Sequence, residues 1–455
     1  MPLVRRILIA GALMLAPALA AGQAKKLSVP YVLDTLPNGL TLIVHEDHST
    51  PVVTTNVWFH VGSGDEKPGR TGFAHLFEHL MFMGSQHAEY PQFDRLLEAA
   101  GADNNGSTTE DRTNYYENGP NSSLPLMLWL EADRLGWLLP TMDKPKVDLQ
   151  RDVVKNERRQ SYENRPYGIV ADFEPKLMYP ASHPYSWPVI GSMVDLSAAS
   201  VDDVKDFFRR YYAPNNATLV VAGDVRAAEV KALVRAYFSE IPRGPKIDRP
   251  SPTPFTVRDT ALTLEDRVQL PQLYLEWHTV KGWHADDAAL DIAASVLAGS
   301  RTARLTQSLV YSGELATSTV YARQDGKRLD GDFTIVAQAR AGKGLDTLRA
   351  VIDAELTRLA ADGPTARELE QAKNVIEAGF LRRIEGVAGK ADQLNEYFYQ
   401  TGRPDSFQAD LDRYRRVTAT DVQRVVRTYL QAARVMISVV PQGKQELAAK
   451  KGVAQ

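Results

Sequence analysis

A pair of histidines four residues apart constrains this chain more than any other feature. His75 and His79 flank Glu78 in Thr71–Gly84, a segment rich in apolar residues that predicts a buried helix. On an α-helix, side chains four positions apart lie on one face, so the two imidazoles can share a metal ion. Glu78 lies beside His79 and can reach water on that ion. This set of groups is typical of zinc hydrolases, in the order H-x-x-E-H rather than H-E-x-x-H.

A catalytic zinc site needs a third protein ligand as well as an open position for water. The charged segment Asp148–Asn164 predicts a second helix, which offers four acidic candidates. These are Asp148, Asp152, Glu157 and Glu163. Because each of them could equally be a solvated side chain on a charged helix, the residue pattern leaves the choice among the four open.

The composition limits both the ligands and the partners of the chain. The 455 residues include no cysteine, so disulfides and thiolate ligands are excluded, and a metal must be held by histidine and carboxylate. The net charge is −3 with both signs interspersed, which gives no basic surface for nucleic acid. The chain is also too long for a single hydrophobic core, so we expect two or more domains.

Residues 1–20 predict a cleaved signal peptide. Arg5 and Arg6 form a basic start, Ile7–Leu15 is apolar, and Ala18–Ala20 is a small-residue cleavage site. The apolar stretch is too short to span a membrane, and no other stretch is long enough. We therefore expect an exported chain without a membrane span, located in the periplasm or secreted.

The two halves of the chain repeat one pattern. In each half a strand precedes a loop and a helix that ends in Gly-Ser, and each half closes with an amphipathic helix followed by a strand. In the closing helices, Asp203 and Tyr211 correspond to Asp421 and Tyr429 at one constant offset. A constant offset across a helix and its flanks indicates a duplicated unit rather than chance periodicity.

The repeat sets the domain boundaries that we expect. After the signal peptide, an N-terminal zinc domain covers 27–241 and a homologous C-terminal domain covers 258–441. The Pro- and charge-rich segment 242–257 is predicted to link them, and 442–455 forms a tail. The predicted fold class is α+β, with two homologous domains that each contain a mixed β-sheet with helices packed on it.

The second copy provides an internal test of the metal hypothesis. When the Gly-Ser ends of the two helices are aligned, Leu290, Ala293 and Ala294 fall opposite the two histidines and the glutamate. The second domain therefore keeps the helix and loses every polar residue of the motif. The fold does not require these polar residues, so we interpret them as chemical groups and expect one metal site, with a C-terminal domain that is non-catalytic.

The chain resembles the pitrilysin/insulinase family of inverzincin metallopeptidases, and within it the mitochondrial processing peptidases and their bacterial relatives. The resemblance spans essentially the whole mature chain. The matching runs are LPNGLTLIV (Leu36–Val44), VWFHVGSGDE (Val57–Glu66), GFAHLFEHLMFMGS (Gly72–Ser85), NGSTTEDRTNYYENGP (Asn105–Pro120) and VVKNERR (Val153–Arg159).

The resemblance implies a role for each residue of the metal site. His75, His79 and Glu157 hold one Zn²⁺ per chain, and Glu78 is the general base of an endopeptidase that hydrolyses unfolded peptides. Zinc is implied by the family and by the ligand types, since two histidines and a glutamate can also hold Mn or Co. Many members carry a glutamate where this chain has Gln150, and we expect an intact site with altered affinity or rate.

The resemblance also places the peptide substrate. An extended peptide would add to a sheet edge that includes Asn105–Thr109, with Asn105 and Gly106 as substrate contacts. An Asn-Gly pair is also typical of a plain turn, so this alternative stays open.

Active members of the family use an arginine and a tyrosine, seven residues apart, from the C-terminal half. Val310 and Thr317 stand at those two positions here, while Arg304 and Tyr311 have the same spacing in another register. The resemblance therefore implies a zinc-bearing chain that pairs with a homologous subunit lacking the zinc motif, as a heterodimer, or with a second copy of itself, as a homodimer.

Two other function classes compete with a peptidase. Relatives of the family serve as core proteins of a respiratory complex, so a non-catalytic assembly subunit is the main alternative. A hydrolase of substrates other than peptides is the second. The intact metal motif opposes the first, and metal content after purification discriminates it from an enzyme.

Overall fold

The computed structural model of the protein describes residues 26–249 and 251–450. The predicted signal peptide lies outside the described residues. The strands are β1 (Val32–Thr35), β2 (Thr41–Glu46), β3 (Val52–Phe59), β4 (Asp103–Thr108), β5 (Thr113–Pro120), β6 (Ala217–Gly223), β7 (Thr260–Asp266), β8 (Gln272–Thr279), β9 (Ala316–Gly326), β10 (Gly331–Ala339) and β11 (Val435–Pro441).

Helices lie between these strands in both halves. They are α1 (Phe73–Leu80), α2 (Gln92–Ala99), α3 (Leu124–Trp137), α4 (Lys144–Arg158), α5 (Val170–Met178), α6 (Met193–Ala198), α7 (Val201–Tyr211), α8 (Ala227–Phe238), α9 (Asp287–Ala298), α10 (Leu345–Asp362), α11 (Ala366–Arg383), α12 (Val387–Thr401), α13 (Phe407–Arg416) and α14 (Ala419–Val425).

The strands form two mixed sheets that share one topology, apart from the additional edge strand β1 of the first sheet. The first sheet has the order β1-β2-β6-β3-β5-β4, and the second has the order β7-β11-β8-β10-β9. In each sheet one pair is parallel, β2 with β6 and β7 with β11, and the pairs that follow toward the far edge are antiparallel. The predicted α+β fold with two homologous sheets is therefore confirmed.

The closing helices of the two halves begin in the same way. Ser200 and Asp203 form a reciprocal capping pair at the start of α7, and Thr418 and Asp421 form the same pair at the start of α14. Each hydroxyl accepts a hydrogen bond from a backbone N–H that would otherwise lack a partner, and each carboxylate bonds back to the cap residue. The constant offset seen in the sequence is thus a repeated local structure.

The two halves exchange helices. Helix α12 of the second half packs on β3 and β6 of the first sheet, where Leu394 joins an apolar cluster with Val220. Helix α5 of the first half packs on β8 and β11 of the second sheet, where Val170 joins a cluster with Ile437. Each sheet is therefore covered on one face by helices of its own half and on the other by a helix from the other half.

The segment between the halves is anchored to the first half. Neither helix nor strand occurs among the described residues of 242–257. Within this segment, the guanidinium of Arg249 donates to the backbone oxygen of His60 at 2.5 Å, to Asn216 Oδ1 at 2.9 Å and to Asp65 Oδ1 at 3.1 Å. In the two ranges that the structure describes, no helix combines the length and the apolar character needed to cross a bilayer.

Candidate metal centre

Helix α1 carries the histidine pair and is shorter than the predicted segment. It starts after Gly72, whose φ is +86°, and a Cβ at that position would lie 2.6 Å from the carbonyl oxygen of Ile190. Glycine is needed there both for the backbone conformation and for this close approach. The apolar face of the helix, including Leu76 and Phe77, is buried in the first core.

Glu66 holds the start of α1. Its carboxylate accepts hydrogen bonds from the backbone N–H of Ala74 at 2.7 Å and of Gly72 at 3.0 Å, and from Trp187 Nε1 at 3.1 Å. Burial raises the pKa of Glu66 to about 8, and the three N–H donors act in the opposite direction. This role of Glu66 cannot be predicted from the sequence, because an acid six positions before the first backbone N–H that it binds leaves no local pattern.

Helix α4 brings one of the four acidic candidates to the histidines. It starts at Asp143, whose side chain accepts from the backbone N–H of Lys146, and it packs directly against α1. Near its end, Glu157 Oε2 lies 3.3 Å from His79 Nε2 and 3.7 Å from His75 Nε2. The other candidates do not share this position. Asp148 pairs with Lys144 and Arg151, Asp152 pairs with Lys155 and is largely exposed, and Glu163 lies near Arg158.

The three side chains fit a tetrahedral zinc ion in donor type and in spacing. With metal–ligand bonds of about 2.0–2.1 Å, neighbouring donors around such an ion lie about 3.3 Å apart. One ligand atom each from His75, His79 and Glu157 lies within 4.8 Å of the others. No other group of three histidine or acidic side chains converges in this way among residues 26–249 and 251–450.

The protonation states of these groups also suit a metal. Burial and the neighbouring His79 lower the pKa of His75 to about 4, so its imidazole is neutral at neutral pH. The hydrogen bond with His79 lowers the pKa of Glu157, which keeps the carboxylate ionised. Neutral imidazole and ionised carboxylate are the forms that bind metal.

His75 Nδ1 is buried and has no hydrogen-bond partner within the described part of the chain.

Glu78 points toward the edge of the first sheet. Its Oε2 accepts a hydrogen bond from Thr108 Oγ1 at 2.5 Å. Burial raises the pKa of Glu78, and the bond from Thr108 opposes this shift. A carboxylate whose pKa is raised toward neutrality is suited to accept and return a proton.

Asn105 and Gly106 lie in β4, the edge strand of the first sheet, so the pair is not a turn. Asn105 Oδ1 accepts a hydrogen bond from the backbone N–H of Gly106 at 2.8 Å. Gly106 lies against α1: a Cβ at this position would be 3.1 Å from Glu78 Cγ. The structure thus places both predicted substrate contacts on the strand next to the general-base candidate.

The remaining predicted residues have partners elsewhere. Gln150 Nε2 donates to Met83 Sδ at 2.8 Å. The Arg304 guanidinium is bound by Glu368 and by the backbone carbonyl of Gly363, whereas the Tyr311 side chain is exposed. Thr317 Oγ1 donates to Gln338 at 3.0 Å.

The corresponding helix of the second half, α9, presents buried apolar side chains. In α9, Leu290 and Ala293 are fully buried, and Ala294 is buried as well. In the sequence alignment of the two Gly-Ser pairs, these residues correspond to the two histidines and the glutamate of α1. Small or apolar side chains therefore satisfy the packing of this helix in the second half, so packing by itself does not account for the polar set in α1.

Comparisons with known proteins match the two halves of the chain to two family models. The insulinase (peptidase family M16) model matches residues 41–180, and the model described as the peptidase M16 inactive domain matches residues 198–376. Zinc protease PqqE of Helicobacter pylori is 28% identical over 440 residues, which cover 94% of this chain and 96% of that protein. A probable mitochondrial-processing peptidase subunit beta of Arabidopsis thaliana is 24% identical over 418 residues, covering 89% of this chain and 77% of the relative.

Solved structures show the same fold. A protease from Helicobacter pylori superimposes with a TM-score of 0.84 at 26% identity, covering 91% of this chain and 100% of that chain. A peptidase M16 inactive domain from Pseudomonas fluorescens superimposes with a TM-score of 0.80 at 20% identity, covering 92% and 99%. With both family models matched in order and a fold shared over nearly the whole length, the chain belongs to the insulinase family, peptidase family M16.

Proposed function

We propose that this chain is a zinc-dependent endopeptidase that hydrolyses unfolded peptides. The observation that carries the proposal is the convergence of His75, His79 and Glu157 from two separate helices, with Glu78 beside them. The same helix position in the second half is apolar, so packing does not explain this set. Relatives named as zinc proteases support the peptidase class.

The side chains divide the chemistry between them. His75, His79 and Glu157 would hold the ion, which in such sites lowers the pKa of water and polarises a scissile carbonyl. Glu78 accepts a proton from the attacking water and later delivers it to the leaving amine. Water is consumed, one C–N bond breaks, and a carboxylic acid and an amine are released.

The edge strand offers a place for an extended peptide. The backbone N–H of Thr109 donates to the carbonyl of Arg112 at the turn between β4 and β5. Because bonded and non-bonded pairs alternate along antiparallel strands, the peptide groups of Thr108 and Gly106 point away from β5, toward the open edge. A substrate strand would pair there through its main chain, which demands little of its sequence.

We also propose that a homologous subunit completes the site. Val310 and Thr317 occupy the positions at which the family resemblance expects an arginine and a tyrosine, and a partner without the zinc motif could supply both. The relative named as a processing-peptidase subunit supports an assembly of two chains. The pattern of residues 1–20 supports export to the periplasm or beyond, which fractionation of the producing cell would test.

Hydrolysis of an unstructured, quenched-fluorescent peptide tests the function. The zinc-loaded mature chain is compared with the Glu78→Gln variant, with and without a chelator. We expect cleavage that the chelator and the substitution both abolish, either by the chain alone or after addition of the homologous subunit.

The outcomes separate the competing classes. A chain that holds no metal above background would overturn the proposal and favour the non-catalytic assembly subunit. Stoichiometric zinc without cleavage, with or without the homologous partner, would also count against a peptidase. Cleavage that persists in Glu78→Gln would remove Glu78 from the role of general base.

A further inference from the structure

We propose that Thr108 and Gly106 are positioning residues that fix the carboxylate of Glu78 against the edge strand. The inference rests on the proposed peptidase function and adds to it the means by which the general base is held. It follows from two contacts between β4 and α1, one made by a hydroxyl and the other made possible by the absence of a side chain.

The first contact is directional. Thr108 Oγ1 donates to Glu78 Oε2 at 2.5 Å, which is a short bond to a carboxylate. Thr113 Oγ1 donates to the carbonyl of Val61 and lies 3.4 Å from Thr108 Oγ1. The Thr108 hydroxyl is therefore flanked by Thr113 on the side away from Glu78. One carboxylate oxygen is thereby tied to the strand, and the other is left to accept the proton of water.

The second contact is steric. Gly106 lies two residues before Thr108, so the two positions face the same side of β4. A Cβ at Gly106 would lie 3.1 Å from Glu78 Cγ, 3.2 Å from the carbonyl oxygen of Asn114 and 3.3 Å from a ring carbon of Tyr115. Glycine therefore provides the space in which the Glu78 side chain extends toward Thr108.

The arrangement joins substrate binding to the position of the base. The peptide groups of Gly106 and Thr108 face the open edge, where a substrate would pair, while the same residues touch Glu78 on the helix side. A peptide that adds to β4 is thus bound by the residues that hold the general base, which fixes the distance between the scissile bond and the carboxylate.

Steady-state kinetics of the zinc-loaded chain test this role, with the homologous subunit present if activity requires it. We expect Thr108→Val to lower kcat about tenfold or more with KM changed less than about twofold, and Thr108→Ser to restore kcat, because the hydroxyl returns. Zinc stoichiometry stays at the wild-type level in both variants. Thr54→Val is the matched control, since it removes a buried hydroxyl that bonds Asn118 on the same sheet, away from α1.

A second measurement needs neither metal nor substrate. Urea midpoints of the metal-free protein are compared for Thr108→Val, Glu78→Gln and the double variant. Residues that share a contact give non-additive shifts, so the double variant should shift no further than the more affected single variant. Additive shifts would show that the two side chains act independently and would overturn the inference.

The glycine is tested in the same assays. Gly106→Ala should lower kcat at unchanged zinc content. Gly386→Ala should leave kcat unchanged, because beyond its chain neighbours no atom of residues 26–249 or 251–450 lies within 4 Å of a Cβ added there. Wild-type kcat in Thr108→Val would overturn this inference and leave the proposed function standing. A wild-type chain that binds zinc and never cleaves would overturn the function, and the unfolding experiment would still report on the contact.

Discussion

The guanidinium of Arg304 donates two hydrogen bonds to the carboxylate of Glu368, from Nε at 2.7 Å and from Nη2 at 2.8 Å. Nη2 also donates to the carbonyl of Gly363 at 3.0 Å. Glu368 completes a reciprocal cap with Thr365 at the start of α11, and the Arg304 bond lowers the pKa of Glu368 to about 2. Arg304 therefore ties the end of α10 to the start of α11.

From this contact we expect Arg304→Gln to act on stability. Loss of a partly exposed, bidentate ion pair should lower the free energy of unfolding by about 1 kcal/mol, with kcat unchanged once the folded fraction is accounted for. Urea denaturation and peptide hydrolysis measure the two quantities, and Arg301→Gln, on an exposed neighbour, is the control. Loss of hydrolysis in a fully folded Arg304→Gln variant would restore the alternative in which Arg304 and Tyr311 serve the substrate.

The choice of third ligand is tested by metal binding. Glu157→Gln should weaken zinc binding by at least about 100-fold, because an amide oxygen replaces an ionised donor. Competition with a chromophoric chelator gives the affinity without any activity assay. Asp152→Asn, which removes an exposed acid from the same helix, should bind zinc as the wild type does, and equal affinities for the two variants would exclude Glu157 as a ligand.

His60 should make the fold sensitive to acid. Burial, together with the nearby Arg249 and Arg328, lowers the pKa of His60 to about 3, and its ring packs against Tyr399 with centroids 4.8 Å apart. In the unfolded chain the His60 imidazole takes up a proton near pH 6.5. The contribution of neutral His60 to the free energy of unfolding is therefore complete above that pH and is lost as the pH falls toward 3. For one titrating group, the free energy of unfolding cannot change by more than about 1.4 kcal/mol per pH unit.

Urea titrations between pH 7 and pH 4 test whether the free energy of unfolding falls with pH in this way. His60→Gln should flatten the fall in unfolding free energy over that range. His48 gives a control of opposite sign, because its hydrogen bond to Asp224 raises its pKa and any stabilisation it adds is present at low pH and lost as the pH rises. If His60→Gln leaves the slope unchanged, the ring is protonated in the folded protein.

Truncation at the two aligned positions Leu290 and His75 should lower the free energy of unfolding by very different amounts. Leu290→Ala should cost about 2–5 kcal/mol of unfolding free energy, because it opens a cavity in a fully buried core. His75→Ala should cost much less in the metal-free protein, since the buried His75 Nδ1 has no hydrogen-bond partner among the residues that the structure describes. Zinc should then stabilise the wild type and leave His75→Ala almost unaffected. Equal losses at the two positions would mean that His75 serves packing.

The sequence predicted the elements that depend on local patterns. Helix α1 follows from the apolar spacing around His75 and His79, and the duplication of the two sheets follows from a repeat whose closing caps and closing strands recur at one offset. The residue pattern left four acids open as third ligand, because only the packing of α4 on α1 distinguishes Glu157. The predicted helix from Asp148 in fact starts earlier, where Asp143 supplies the cap.

Contacts made across the fold could not be predicted in this way. Thr108 reaches Glu78 only because β4 lies at the sheet edge beside α1, and Glu66 caps α1 from a loop. The exchange of α5 and α12 between the halves depends on how two sheets pack, which no single segment encodes. The interpretation of Asn105–Gly106 as a turn was open for the same reason, since strand pairing with β5 decides it.

The exchange of α5 and α12 means that neither half is a complete folding unit. A chain cut at 242–257 and expressed as two fragments would leave each sheet with one bare apolar face, so the fragments should be soluble only when they are produced together. Two copies of a single half that traded these segments would give the same arrangement. In architectural terms the single chain has the arrangement of a dimer, in which one half carries the proposed metal site and the other has an apolar helix in its place.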